Sequence, residues 1–192
     1  MDKMDTEEST MKKVFAFFAE GFEEVEALMV IDLLRRTKEV GVTTVSVTEE
    51  KMVKSSHGFS IMADEVIANI DFSDGDMIFL PGGIPGTPNL AACKLLTDNI
   101  VAYNESGKKL AAICAAPSIL GELGLLKGKK ATCYPGFEDK LEGAECGGSV
   151  VTDGNVTTAK GLGVALEMGL ELIKILVNES KSNEIAEAIQ YQ

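Results

Sequence analysis

The sequence predicts an α/β fold, a flavodoxin-like three-layer sandwich with a mainly parallel central sheet and helices on both faces. Three observations carry that expectation. Short continuous apolar runs such as Val14-Phe15-Ala16-Phe17-Phe18 read as strands covered on both faces. A helical pattern follows the main runs, as a parallel sheet with crossover connections requires. A chain of 192 residues, 45% hydrophobic and 25% charged, suits one domain with a sizeable core.

Taken in order, residues 1–10 are acidic and polar and read as a disordered extension, with the folded domain expected over 11–192. After the first strand, residues 22–37 carry a helical pattern, and Val42 to Val47 form a second strand rich in β-branched residues. Residues 52–63 suit a small hairpin about His57-Gly58. Met77 to Leu80 is a third buried strand, ending at Pro81-Gly82-Gly83, and residues 88–104 read as one helix. Lys109 to Ile113 is a fourth strand. Ala115 to Leu123 then reads as a helix that tolerates Pro117 in its first turn. Strands near 130–133, 150–152 and 156–159 precede a closing helix over about 161–177, with a further short helix expected after Lys181. In such sheets ligands bind beyond the carboxyl ends of the strands, near the point where strand order reverses. Three turns should gather there: Ala19-Glu20-Gly21, Pro81-Gly82-Gly83 and the turn at Cys114.

Charge narrows the function classes. Lys+Arg 18 against Asp+Glu 30 gives a net charge of −12, a field that repels phosphate backbones and anionic lipid. Neither nucleic-acid nor membrane binding is expected. No apolar run reaches the ~18–20 residues that span a bilayer, and the polar N-terminus lacks a signal-peptide pattern, so the expected address is the cytoplasm. The four cysteines, Cys93, Cys114, Cys133 and Cys146, form no C-x-x-C pair. No structural zinc or other metal is expected, and the thiols should be free.

Cys114 directly follows a buried strand and precedes two alanines. A nucleophile on such a strand-to-helix turn is exposed above the sheet, and the helix N-terminus would lower its pKa. A small core cysteine ending a strand fits the local pattern equally well. Glu26 lies within about 60° of Phe22, Met29, Val30 and Leu33 on a helical wheel, which puts a carboxyl on the apolar face. It reads either as an acid/base group with a raised pKa or as a boundary glutamate reaching water. Glu24 falls opposite, close in angle to Arg35, where a solvated ion pair is expected. Glycines at Pro81-Gly82-Gly83 suit either backbone contact with a ligand or a tight turn. His57 is the only histidine and reads by default as a surface-loop residue. Cys93 and Cys133 read as structural, and Cys146 as exposed.

At these residues the sequence resembles the DJ-1/PfpI superfamily, in its DJ-1/YajL/ThiJ-like branch. The matching pieces are Phe22-Glu23-Glu24-Val25-Glu26, Leu80-Pro81-Gly82-Gly83, Ala111-Ala112-Ile113-Cys114-Ala115-Ala116-Pro117 and Thr157-Thr158-Ala159-Lys160-Gly161. The resemblance implies that Cys114 is an oxidisable nucleophile and Glu26 its protonated partner and proton shuttle. It also implies that the N–H groups of Gly83 and Ala115 form an oxyanion pocket. It implies cofactor-independent action on small aldehydes or glycated substrates, methylglyoxal to lactate among them, or a non-enzymatic redox-sensing or chaperone-like role through Cys114. Many relatives carry a histidine where this chain has Tyr134, so a cysteine–histidine–acid triad and peptidase activity are not expected. A homodimer is implied, with His57 reaching the neighbouring subunit's pocket. Leu28 and Ile31 lie on the side of the first helix away from Glu26, a second apolar stripe consistent with the family's dimer interface.

Overall fold

Apolar alternation along β1 (Lys12–Phe18) builds two cores at once, in a computed structural model that describes residues 11–191. Val14, Ala16 and Phe18 point to one face of the sheet, Phe15 and Phe17 to the other. The expectation for residues 1–10 lies outside the described residues. From β1 the chain passes through α1 (Glu24–Arg36) to β2 (Val40–Ser46). A hairpin of β3 (Met52–Lys54) and β4 (Ser60–Met62) follows, then the short β5 (Glu65–Val66). Next come β6 (Met77–Leu80), α2 (Gly86–Ala92), α3 (Lys94–Glu105), β7 (Lys109–Ile113) and α4 (Pro117–Glu122). The remainder is β8 (Lys130–Ala131), β9 (Glu145–Cys146), β10 (Val150–Asp153), β11 (Val156–Ala159), α5 (Ala165–Leu176) and α6 (Glu179–Ala188).

The main sheet has the order β10-β11-β7-β6-β1-β2-β5, parallel throughout except where β10 runs against β11. Its centre, β2-β1-β6-β7-β11, is the 2-1-3-4-5 order of flavodoxin-like sheets. The chain moves from β1 to β2 on one side and returns to β6 on the other, so strand order reverses between β1 and β6. That crevice is where a ligand site belongs.

One face is covered by α1, α5 and α6 through residues such as Val30, Leu33, Met168 and Ile173; the other by α2, α3 and α4 through Leu90, Leu96, Ile100 and Leu120. Each fully buried side chain of this kind stabilises the fold by about 1.5–3 kcal/mol. Among the described residues, no helix is long and apolar enough to cross a membrane.

The structure departs from the sequence-based expectation at three points on these helices. The helix expected over 88–104 is two, because Cys93 takes an extended conformation (φ −79°, ψ 96°) that ends α2 and starts α3. Ile31 is not part of an outward stripe; it is 3% exposed and packed in the core. Glu24 is not a solvated partner of Arg35: it is buried beneath the hairpin, and Arg35 pairs with Asp64 instead.

Candidate functional site

The carboxyl ends of β1, β6 and β7 deliver the three expected turns to one place. β7 ends at Ile113, and Cys114 turns the chain into α4 with φ 65°. A left-handed conformation at a residue with a side chain costs about 1–3 kcal/mol and persists only where the surroundings over-determine it. Here they do. The Cys114 N–H donates to Ala159 O of β11 (2.9 Å), and its carbonyl accepts from Tyr134 N–H (2.7 Å). The half-buried thiol is thereby held at the head of the elbow.

Glu26 comes to it from α1. Glu23 caps that helix, its Oε2 accepting from Glu26 N–H at 2.6 Å, and this fixes the first turn. The Glu26 side chain, 1% exposed, hydrogen-bonds the Cys114 thiol and accepts from Gly82 N–H at 3.1 Å; the Leu162 N–H is a further backbone donor. Burial raises the Glu26 pKa to about 7, with the nearby Glu23 charge adding to the shift and the hydrogen bonds opposing it. The Ala115 and Gly83 N–H groups point at the sulfur and favour its ionised form.

The thiol itself moves opposite to the expectation from its helix N-terminus. Burial and the Glu26 carboxylate push Cys114 up to about 12, outweighing the two amides. The groups therefore titrate as a pair. The first proton lost leaves one negative charge for both; the second leaves only near 12. Protonating Glu26 removes its charge and makes it a donor, and both changes favour the thiolate.

Two glycines shape the cradle. A Cβ on Gly82 would lie 2.6 Å from Cys114 Cβ and 2.7 Å from Glu26 Oε2, so no side chain fits there. Gly161, with φ 156°, closes the opposite side, where only glycine is comfortable. The Tyr134 ring lies near Gly161, beside a cavity of about 290 Å³ lined by Tyr134, Pro135, Lys160, Gly161, Leu162 and Val164.

The structure thus brings together Cys114, Glu26, Gly83 and Ala115, with Tyr134 at the rim. It does not bring His57 to Cys114 of the same chain. His57 Nδ1 lies 3.0 Å from Glu24 Oε1. Sequence reasoning missed the contributions of Glu23, Gly161 and Leu162. Glu23 carried a local signal, since it precedes the helix and sits three positions before Glu26; the other two carried none.

A doubly wound α/β sheet whose switch point holds a cysteine elbow against a buried carboxyl defines the class of protein. The DJ-1/PfpI family model matches residues 12–175, and the chain belongs to the DJ-1/PfpI family. It is 39% identical over 186 residues to Protein DJ-1 homolog B of Arabidopsis thaliana, covering 94% of this chain and 42% of that one. The chain thus spans less than half the length of that relative and of the A. thaliana homolog A, where the share is 46%. The glutathione-independent glyoxalase DJR-1.2 of Caenorhabditis elegans is 31% identical, over 86% of this chain and 89% of that one. The deglycase TK1284 of Thermococcus kodakarensis is 32% identical, over 85% and 99%. Among solved structures, oxidised DJ-1 of Toxoplasma gondii superposes with a TM-score of 0.89 at 34% identity, covering 94% of this chain and 98% of that one.

Proposed function

We propose that the protein converts small reactive carbonyls, methylglyoxal to lactate in the simplest case, by cysteine catalysis without a cofactor. The observation that carries this reading is the buried Glu26 carboxyl, held near neutral pKa and hydrogen-bonded to the Cys114 thiol. The family names glyoxalase and deglycase members, which supports the reaction class.

The chemistry follows from the pair. Cys114 sulfur attacks the aldehyde carbon while its proton passes to Glu26. Glu26 hands that proton on to the carbonyl oxygen, which gives the hemithioacetal and returns Glu26 to its carboxylate form. The N–H groups of Gly83 and Ala115 stabilise the oxyanion as it develops. Glu26 then removes the proton from that carbon and delivers one to the adjacent carbon, through an enediol. One carbon is oxidised and its neighbour reduced, so no external electron acceptor is needed. Water hydrolyses the resulting thioester, releasing lactate and the thiol.

The working unit in this reading is a homodimer. Val25, Leu28 and Phe59 are exposed apolar residues around a groove of about 330 Å³ on α1 and the hairpin, a surface suited to a second copy. His57 lies on the same hairpin, and its Nε2 edge is available to a neighbouring subunit's pocket.

A second reading, oxidation sensing through Cys114, draws on the same amide-lined sulfur site and on the oxidised state of the T. gondii neighbour. Lactate formation from methylglyoxal by wild type, Cys114→Ser and Glu26→Gln separates the two. Turnover in wild type alone supports the enzyme. Activity surviving in Cys114→Ser rejects the mechanism, and an inactive wild type leaves the sensor.

A further inference from the structure

Away from the sulfur, the first turn of α1 and the β3–β4 hairpin gather three side chains of metal-ligating type. His57 Nδ1 lies 3.0 Å from Glu24 Oε1 and 3.7 Å from Glu23 Oε1, and the three ligand atoms fall within 4.8 Å of one another. We infer that Glu23, Glu24 and His57 form a binding site for a divalent transition-metal cation such as zinc or cobalt, with its remaining position open to water.

The unpaired oxygen of Glu23 is the observation that sets this cluster apart from an ordinary acidic surface. Glu23 Oε1 is buried with no hydrogen-bond partner, on a side chain only 10% exposed. A buried acceptor left unmade costs about 1–3 kcal/mol, and a cation in the gap it faces would recover that cost. Both carboxylates are also oriented for the purpose. Glu23 holds Glu26 N–H with Oε2, leaving Oε1 free, and Glu24 accepts from Ser56 Oγ with Oε2 (3.3 Å), presenting Oε1 to His57. Outer partners of this kind fix the orientation of metal ligands.

Distances and charge agree. Metal bonds of about 2.0–2.2 Å in tetrahedral geometry space neighbouring ligand atoms by about 3.3–3.6 Å. The two measured separations from the imidazole bracket that range. Two carboxylates balance a dication, and the helix N-terminus, worth about half a positive charge, only partly offsets them. An imidazole in the set favours zinc-like ions over magnesium or calcium. The His57 side chain is 67% exposed in the single chain, and coordination through Nδ1 leaves its Nε2 edge for the neighbouring subunit. Sequence spacing hides the site because His57 lies 33 positions from Glu24.

The test is titration of Co²⁺ alone into the full chain, followed by its visible absorption. One equivalent should bind with ligand-field bands and no thiolate-to-cobalt charge-transfer band. Affinity should fall by about tenfold or more in His57→Ala and in Glu24→Gln, and stay unchanged in Cys114→Ser. Because His57 is exposed, its replacement should leave the fold intact, which circular dichroism checks. No binding at millimolar Co²⁺ overturns the inference. So does affinity unmoved by both substitutions, or a charge-transfer band that disappears with Cys114. The proposed carbonyl chemistry requires Cys114 and this site does not, so the two readings fail separately.

Discussion

Cys114 and Cys133 are both covered thiols whose ionisation is suppressed, yet only Cys114 sits on a strand-to-helix elbow beside a buried carboxyl. Cys133 is 3% exposed, and burial pushes it up to about 11, with the charge of Glu138 adding to the shift and one opposing contact, from the Phe137 backbone. Cys114 is pushed further, to about 12, by burial first and then by a neighbouring carboxylate that can itself take a proton near neutrality. In the proposed reading, the difference teaches that a raised thiol pKa does not mark an inert sulfur. What matters is whether the suppressing charge can be switched off locally while the supporting amides stay in place. Glu26 offers such a switch to Cys114.

The largest expected effect tests the contrast directly. Cys114→Ser should lower lactate formation by about a thousandfold or more, whereas Cys133→Ala should leave the rate unchanged once folding is verified. Comparable losses in both would erase the distinction between the two thiols.

Stability provides the next measure. The Glu26 pKa is higher in the folded chain than its ordinary 4.5, so folding favours the protonated form. That contribution is fully present below about 4.5 and is lost as pH rises through about 7. At pH 8 the buried carboxylate should cost about 3 kcal/mol, and Glu26→Gln should recover most of it in denaturant unfolding. The advantage should vanish at pH 4. A variant equally stable or weaker at pH 8 would mean that the burial cost at Glu26 is already offset.

Peptide-resolved alkylation sharpens the same comparison at the level of single sulfurs. The proposed mechanism requires the first charge of the pair to be shared with the sulfur, so Cys114 reactivity should rise through about pH 7 and then level. Cys133 should show no step there. Glu26→Gln should remove the step at Cys114, and a Cys114 profile without it would show that the charge stays on the carboxylate. The smallest effect belongs to the rim. Tyr134 holds Cys114 through its backbone N–H, so Tyr134→Phe should change turnover by no more than about twofold. A tenfold fall would bring the phenol into the chemistry.

The elbow and its carboxyl were legible in the chain because each sits in a strong local pattern. An apolar strand runs into Cys114, and helical spacing turns Glu26 toward the core. The same helical wheel misplaced Glu24 and Ile31, since it describes one helix and cannot show which other elements return to cover it. Ser56 and His57 of the hairpin meet Glu24, and core packing takes up Ile31. The break at Cys93 was hidden for a different reason: the apolar spacing of 88–104 continues across it, and one extended residue leaves no compositional mark. Gly161 and Leu162 join the site only through tertiary folding, and no spacing rule links them to Glu26. The sign of the Cys114 shift was missed for a related reason, because local spacing shows neither the burial of the thiol nor the Glu26 charge beside it, which together outweigh two amides.

Cys114 is tied through its N–H to β11 and through its carbonyl to the Tyr134 segment. Both tethers are backbone bonds, so exchanging the cysteine side chain would leave them in place. Deuterium uptake at the amides of residues 114 and 134 should therefore track opening of the sheet rather than fraying of the loops around it. The reacting sulfur would then share the kinetic lifetime of the core, and a protein losing activity on warming would do so in the same event that admits solvent to β7 and β11.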